Sequence, residues 1–357
     1  MTSLMNRTSE IARMASTSAI SKVIQSFFGR VAALHVEFHT FIHDLKRKIV
    51  MHMHCDRSLC NTVRMSSPTR YSPSRGSQRK EFDIRGARYS VTEWGERGAP
   101  LFFYLHGWAD TGSTFQFVVD ALQDDWHVVA PDWRGFGRST ANCAAYWFPD
   151  YLADLHELLE LYTPREPARL VGHSMGANVA GLYAGTIPER VEAFVNIEGF
   201  GLVESDPADA PGRYRKWIEA SQSKPAFSTY PDLGALSRRI AKRNPRMNPA
   251  HAGFVAAEWG AEQEDGRVIL RADPLHKLPN PILYRRAAAE ACWRAITAEV
   301  LLVTGGESEI AQHLGVDDEV DLPHDQSVCI PKAGHMPHFD TPVELAAAIE
   351  SFLRQYL

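Results

Sequence analysis

Apolar and polar positions alternate in two short segments, FDIRG (82–86) and RYSVTEWG (88–95), and the alternation predicts a hairpin turning at Gly86. LFFYLHGW (101–108) is then apolar without alternation, as a strand covered on both faces is. The same reading predicts a helix over about 113–122, the strand HVVAPD (127–132), and a helix over about 146–162 with Leu152, Leu155, Leu158 and Leu159 on one face. ARLVGH (168–173) is the next strand, an Ala- and Gly-rich helix follows Ser174, and VEAFVNIEG (191–199) returns to strand. After an interruption over 200–296, EVLLVTGG (299–306), SVCIP (327–331) and a helix over about 342–356 resume the rhythm. Strands alternating with helices imply a mostly parallel sheet with both faces covered. The interruption holds four helical segments with aromatic stripes, among them RYRKWIEA and LGALSRRIAKRN, split by Pro- and Gly-bearing turns.

The 357 residues are 45% hydrophobic and 23% charged, which suits a soluble globular chain and excludes a fibrous or wholly disordered one. Charge divides the chain in two. Residues 1–80 hold 13 Lys+Arg against 4 Asp+Glu, a net of +9, and residues 81–357 hold 25 against 39, a net of −14. An acidic body excludes nucleic acid as the main partner. No run approaches the roughly 18 to 20 apolar residues of a spanning helix, so stable membrane insertion is not expected. Five scattered cysteines without CxxC pairs fit a reducing compartment, and a cytoplasmic protein is the expectation.

Residues 1–80 read as a basic, poorly ordered extension and linker, with the folded domain beginning near Glu81. Three accounts of residues 1–64 compete: a transit peptide, an accessory helix, or sequence upstream of a true start at Met65. His35, His39 and His43 share one helical face, but an exposed His-rich helix is preferred there to a metal site, because no supporting carboxylate pattern accompanies them.

The chemistry concentrates at ARLVGHSMGANVA. Gly172, Ser174 and Gly176 form Gly-x-Ser-x-Gly between a strand and a helix, where the pattern marks a sharp turn that lifts a serine hydroxyl out of the sheet at a helix N-terminus. An ordinary serine N-cap would explain Ser174 but neither glycine. A serine needs a base, and His335 in IPKAGHMPHFDTP is preferred to His338, which lies closer to the last helix.

LHGW, PDWRGFGRS, GHSMG and AGHMPHFD, in that order and spacing, resemble the α/β-hydrolase superfamily, particularly its serine-hydrolase-like and esterase branches, over residues 81–357. The resemblance implies an eight-stranded, mostly parallel sheet with helices on both faces, formed by 81–199 and 297–357, and a helical cap over 200–296. It implies an oxyanion hole from the main chains of Trp108 and Met175. Asp132–Ser139 reads as a structural loop. The family commonly takes its triad acid three residues beyond a glycine after the strand EVLLVTGG; here counting from Gly305 reaches Ser308 and counting from Gly306 reaches Glu309, so the usual aspartate is missing. Some members take the acid from the end of the preceding strand, which is Glu198. Glu198 is preferred, Glu309 is the alternative and Glu307 comes third; a loop-capping carboxylate is the bland reading of Glu198.

For the substrate pocket the candidates are His106, Gly107, Trp217 and Trp259, with Phe254, Trp293 and Phe136 as further aromatic wall; each aromatic is more often plain core. Cap arginines such as Arg213, Arg215, Arg285 and Arg286 are read as solvated surface rather than as an anion site. The expectation is a serine hydrolase that cleaves carboxylic esters, or thioesters, of a small to medium apolar substrate through an acyl-enzyme on Ser174, without metal or organic cofactor. A carbon–carbon bond hydrolase or perhydrolase using the same triad, and a non-catalytic ligand-binding protein on the same fold, are the alternatives.

Overall fold

The computed structural model describes residues 71–140, 144–223, 225–313 and 326–357. Ten strands are described: β1 (Ser77–Ile84), β2 (Ala87–Trp94), β3 (Leu101–Leu105), β4 (His127–Pro131), β5 (Ala168–His173), β6 (Val191–Ile197), β7 (Gly260–Glu262), β8 (Val268–Leu270), β9 (Glu299–Gly305) and β10 (Gln326–Ile330). Eight of them form one sheet in the order β1-β2-β4-β3-β5-β6-β9-β10. The β1–β2 and β2–β4 pairings are antiparallel and the other five are parallel. β5 therefore stands inside the sheet, with the carboxyl ends of β6, β9 and β10 in sequence beside it. In an open α/β sheet this edge is where ligands collect.

The unbroken apolar runs are explained by two cores. Along β3, Phe103 and Leu105 enter one core while Phe102 and Tyr104 enter the other; along β5, Leu170 and Val171 divide in the same way. Period-2 side chains on a sheet covered on both faces leave no polar face to alternate with. The first core is closed by α1 (Phe148–Tyr162) and α2 (Met175–Thr186), and the second by the last helix, α7 (Pro342–Leu353).

The fold differs from the sequence reading at several places. It begins before Glu81, because residues ahead of β1 are already tied down. The Tyr71 hydroxyl donates to Asp120, and its ring lies edge-on to Phe117. The Arg75 amide donates to Asp120 Oδ1 at 2.9 Å and its guanidinium to the Leu122 carbonyl at 2.8 Å. The expectations for residues 1–64, including His35, His39 and His43, lie outside the described residues. The predicted helix over 113–122 is a 3-10 turn, Gly112–Phe115, running into one α turn, Gln116–Val119. Asp110 tightens that start by accepting from the Thr111 amide and the Thr114 hydroxyl.

Residues 200–296 are helical as α3 (Ala210–Ser221), α4 (Leu233–Arg243), α5 (Ala252–Trp259) and α6 (Arg286–Arg294), but they also contain the antiparallel pair β7–β8, which the sequence reading does not foresee. The four helices are not one body. α4 and α5 share an apolar cluster with Phe117 and Phe339. α6 instead lies on α2, where a Cβ on Gly185 would stand 1.8 Å from the Cys292 carbonyl oxygen. Trp293 of that helix is buried with Phe200 and Leu302, so it is core and not pocket wall.

Candidate active site

Ser174 joins β5 to α2 with φ 51° and ψ −114°, a left-handed conformation that costs a non-glycine residue on the order of 1–3 kcal/mol. Close packing around the turn holds it there. A Cβ on Gly176 would lie 2.0 Å from the Leu105 carbonyl oxygen at the end of β3, and one on Gly172 would lie 2.6 Å from Ala177 Cα. Both glycines are thus demanded by backbone approach, which the N-cap reading leaves unexplained. The Ser174 amide donates to the Ile197 carbonyl, and its side chain accepts no capping bond from the helix.

Its hydroxyl meets an imidazole. His335, in the loop after β10, places Nε2 3.0 Å from Ser174 Oγ, and its Nδ1 lies 3.1 Å from Glu198 Oε2. Glu198 follows β6 with φ 58°, and its carboxylate is buried. Oε1 accepts from the Gly305 amide at 2.7 Å and Oε2 from the Ser308 hydroxyl. Acceptance at Glu198 fixes the proton of His335 on Nδ1, which leaves the Nε2 lone pair for the serine proton. Glu309 and Glu307 are exposed, and Glu307 pairs with Arg246 at 2.7 Å.

Ser308 joins this hydrogen-bonded group, and sequence reasoning passed over it although counting from Gly305 lands on it. It occupies the spacing of the usual acid and donates a hydrogen bond to the carboxylate supplied by the neighbouring strand. His173 is another residue it passed over. Its Nε2 donates to the His335 carbonyl at 2.7 Å, tying the strand that bears the serine to the loop that bears the base. Burial holds His173 well below the ordinary histidine range, so it stays neutral.

His338 is fully buried and lies on Asp110, Nε2 to Oδ2 at 3.0 Å, not on Ser174. Burial pushes the Asp110 carboxyl up, but His338 and Thr114 outweigh it and hold it down at about 2. Asp110, His173 and His338 bring ligand-type atoms within 4.8 Å of one another, the grouping among the described residues that comes nearest to a metal site. Asp110 holds His338 Nε2 and His173 Nε2 is spent on the His335 carbonyl, while the buried Nδ1 of each imidazole has no partner among the described residues.

The pocket residues need correction. A cavity of about 500 Å³ opens on Ser174 and His335, with Glu198, Asn178, Phe200 and Gly201 in its wall and Leu202, Glu309 and Ile310 completing the lining. His106, Gly107, Trp217 and Trp259 are not among them. His106 is fully buried, accepting from the Trp133 amide at Nε2 and bonding the Gly107 carbonyl through Nδ1. A Cβ on Gly107 would meet His173 Nδ1 at 2.8 Å, so that glycine serves packing. Trp259 donates its indole N–H to Asp110 at 2.9 Å. Trp217 sits on α3, none of whose residues is buried. Phe136 is core, stacked on His276. Chain distance hid all this, since aromatic residues of the insertion look alike before their helices are packed. Of the two amides expected to form an oxyanion hole, that of Met175 heads α2 and has no preceding turn to accept it. Trp108 is half exposed in the loop after β3. The Asp132–Ser139 segment is structural: the buried Asp132 carboxylate accepts from the amides of Gly112 and Arg138, and Arg134 grips Asp154 with two hydrogen bonds.

Residues 100–342 match the family model described as alpha/beta hydrolase fold. The chain belongs to the α/β-hydrolase family. A serine hydrolase-like protein from Danio rerio is 31% identical over 188 residues, 50% of this chain, which spans 56% of that relative's length. The 2-(acetamidomethylene)succinate hydrolase of Mesorhizobium japonicum is 27% identical over 77% of this chain and 94% of its own. Among solved structures, the thioesterase domain from the curacin biosynthetic pathway superposes with a TM-score of 0.70 at 23% identity, covering 77% of this chain and 99% of that domain; at that identity the likeness speaks for the fold. No helix of the described residues is long and apolar enough to cross a membrane.

Proposed function

We propose that this α/β-hydrolase cleaves carboxylic esters, and thioesters by the same route, through an acyl-enzyme on Ser174. The observation that carries the reading is the hydrogen-bonded chain Ser174 Oγ–His335 Nε2 at 3.0 Å and His335 Nδ1–Glu198 Oε2 at 3.1 Å, opening into a cavity of about 500 Å³. His335 takes the hydroxyl proton as Ser174 Oγ attacks the acyl carbon, and Glu198 steadies the imidazolium that results. Charge on the carbonyl oxygen is met by the amides of Met175 and Trp108. Collapse of the tetrahedral intermediate breaks the bond to the leaving oxygen or sulfur, to which His335 returns the proton. Water, deprotonated by His335, then attacks the acyl carbon and releases the acid and Ser174.

The cavity walls favour a small to medium acyl group, because Phe200, Leu202 and Ile310 supply apolar surface beside the nucleophile. A fluorophosphonate probe tests the reading: a covalent adduct on Ser174 of the native protein, abolished by Ser174→Ala together with p-nitrophenyl ester hydrolysis, is the expected result. A folded protein that takes no adduct at Ser174 would overturn it.

A further inference from the structure

The lining of this cavity has a one-sided charge. Among the described residues, its two ionisable groups besides His335 are both carboxylates, Glu198 and Glu309, and no lysine or arginine lines it. Glu198 is spent on Gly305, Ser308 and His335. Glu309 is different: it heads the short helix Glu309–His313, is exposed, and makes no hydrogen bond or ion pair with another described residue. The guanidiniums around this wall are committed elsewhere. Arg246 holds Glu307 at 2.7 Å and feels Glu309 only through space. Arg286 pairs with Glu290 at 2.8 Å and donates to the carbonyls of Phe200 and Leu202. Arg285 faces Glu204 at 3.3 Å.

The same cavity is lined by Leu202 and Ile310, 59% and 40% exposed, and by the buried Phe200. Apolar surface and a carboxylate unpaired among the described residues, in one half-open cavity, match an alkylammonium group, whose methyls want apolar contact and whose charge wants an anion. The same wall disfavours a carboxylate, which would meet two carboxylates there, while Arg246, beside Gly334, is already held by Glu307. From this we infer that the site selects esters that carry a positive charge, in particular an ammonium a few ångströms from the scissile carbonyl, and that Glu309 is the residue that reads the charge. The inference rests on Ser174 being the nucleophile. It also separates this chain from its Mesorhizobium relative, whose named substrate is a succinate, a dicarboxylate.

The test uses three fluorophosphonates of equal length, ending in a trimethylammonium, a tert-butyl and a carboxylate group, and reads the second-order rate of Ser174 labelling by the full chain. The cationic probe should react about 3- to 20-fold faster than its neutral isostere at low salt, the range for one opposite charge about 6 Å away in a half-wet setting, and the anionic probe should be slowest. In Glu309→Gln the cation-to-neutral ratio should fall toward one, and in the native protein it should shrink as salt is raised to about 0.5 M. Equal labelling by all three probes, or a ratio unmoved by Glu309→Gln, overturns charge selection while leaving Ser174 as nucleophile. Failure of every probe to label Ser174 overturns the hydrolase reading and this inference together.

Discussion

His106 uses both ring nitrogens inside the protein: Nε2 accepts from the Trp133 amide at 2.8 Å, and Nδ1–H donates to the Gly107 carbonyl at 2.7 Å. A second proton on Nε2 would face an N–H donor, and burial accordingly lowers the ring to about 4. His276 is lowered to about 4 by the same cause. Between about pH 4 and 6.5 the unfolded chain therefore binds protons that the folded one refuses, so stability falls as pH drops through this window. Asp132, raised to about 6 by burial, and Asp340, also raised by burial, work in the opposite sense; His173 and His251, both lowered by burial, add to the histidine side, which prevails. Urea midpoints taken between pH 4.5 and 7.5 should decline on acidification. His106→Gln, which keeps an acceptor for Trp133, should remove about one proton's worth of slope, about 1.4 kcal/mol per pH unit. An unchanged slope in that variant would show that the ring titrates normally.

The turn between β5 and α2 depends on absent side chains more than on present ones. Gly176 and Gly181 share α2, yet their surroundings differ: a Cβ at Gly176 would collide with the Leu105 carbonyl oxygen at 2.0 Å, whereas one at Gly181 would come no closer than 3.3 Å to the Trp293 indole. Gly181→Ala should be tolerated within about 1 kcal/mol, since it also gains helix propensity. Gly176→Ala must push α2 off β3, a cost of about 3 kcal/mol or more by overpacking, and should slow probe labelling of Ser174 at least tenfold as the elbow moves. Thermal melts and labelling rates of the two variants side by side decide this, and a Gly176→Ala protein that melts and labels like the parent would contradict the account.

Across the whole molecule, protection is expected to be uneven. The sheet lies between two cores, while α3 has no buried residue and leaves Tyr214 and Ile218 about half exposed. A helix of twelve residues without tertiary burial is marginal in water. Amides of 210–221 should therefore exchange with deuterium orders of magnitude faster than those of β3, β5 and β6, with the transition near Tyr230, whose backbone bonds to Val268. Protection of α3 equal to that of β5 would mean that something covers its apolar side.

What the sequence determined by itself is whatever neighbouring residues can encode. Alternation marks the β1–β2 hairpin, unbroken apolar runs mark the doubly covered strands, and the glycines around Ser174 announce the elbow, because each depends on sterics within a few positions. That Ser174, Glu198 and His335 each follow a strand was legible in the same way, from the strands β5, β6 and β10 that precede them. Tertiary structure alone decided which carboxylate faces His335, since Glu198 and Glu309 follow adjacent strands, β6 and β9, and only their register and the hydroxyl of Ser308 bring one inward and leave the other at the rim. It likewise decided the cavity wall: the aromatic residues expected there are spent on helix packing or stand on α3, and the surface beside the serine comes from Phe200, Leu202 and Ile310, residues whose meeting depends on where the two chain segments after β6 and β9 run in space.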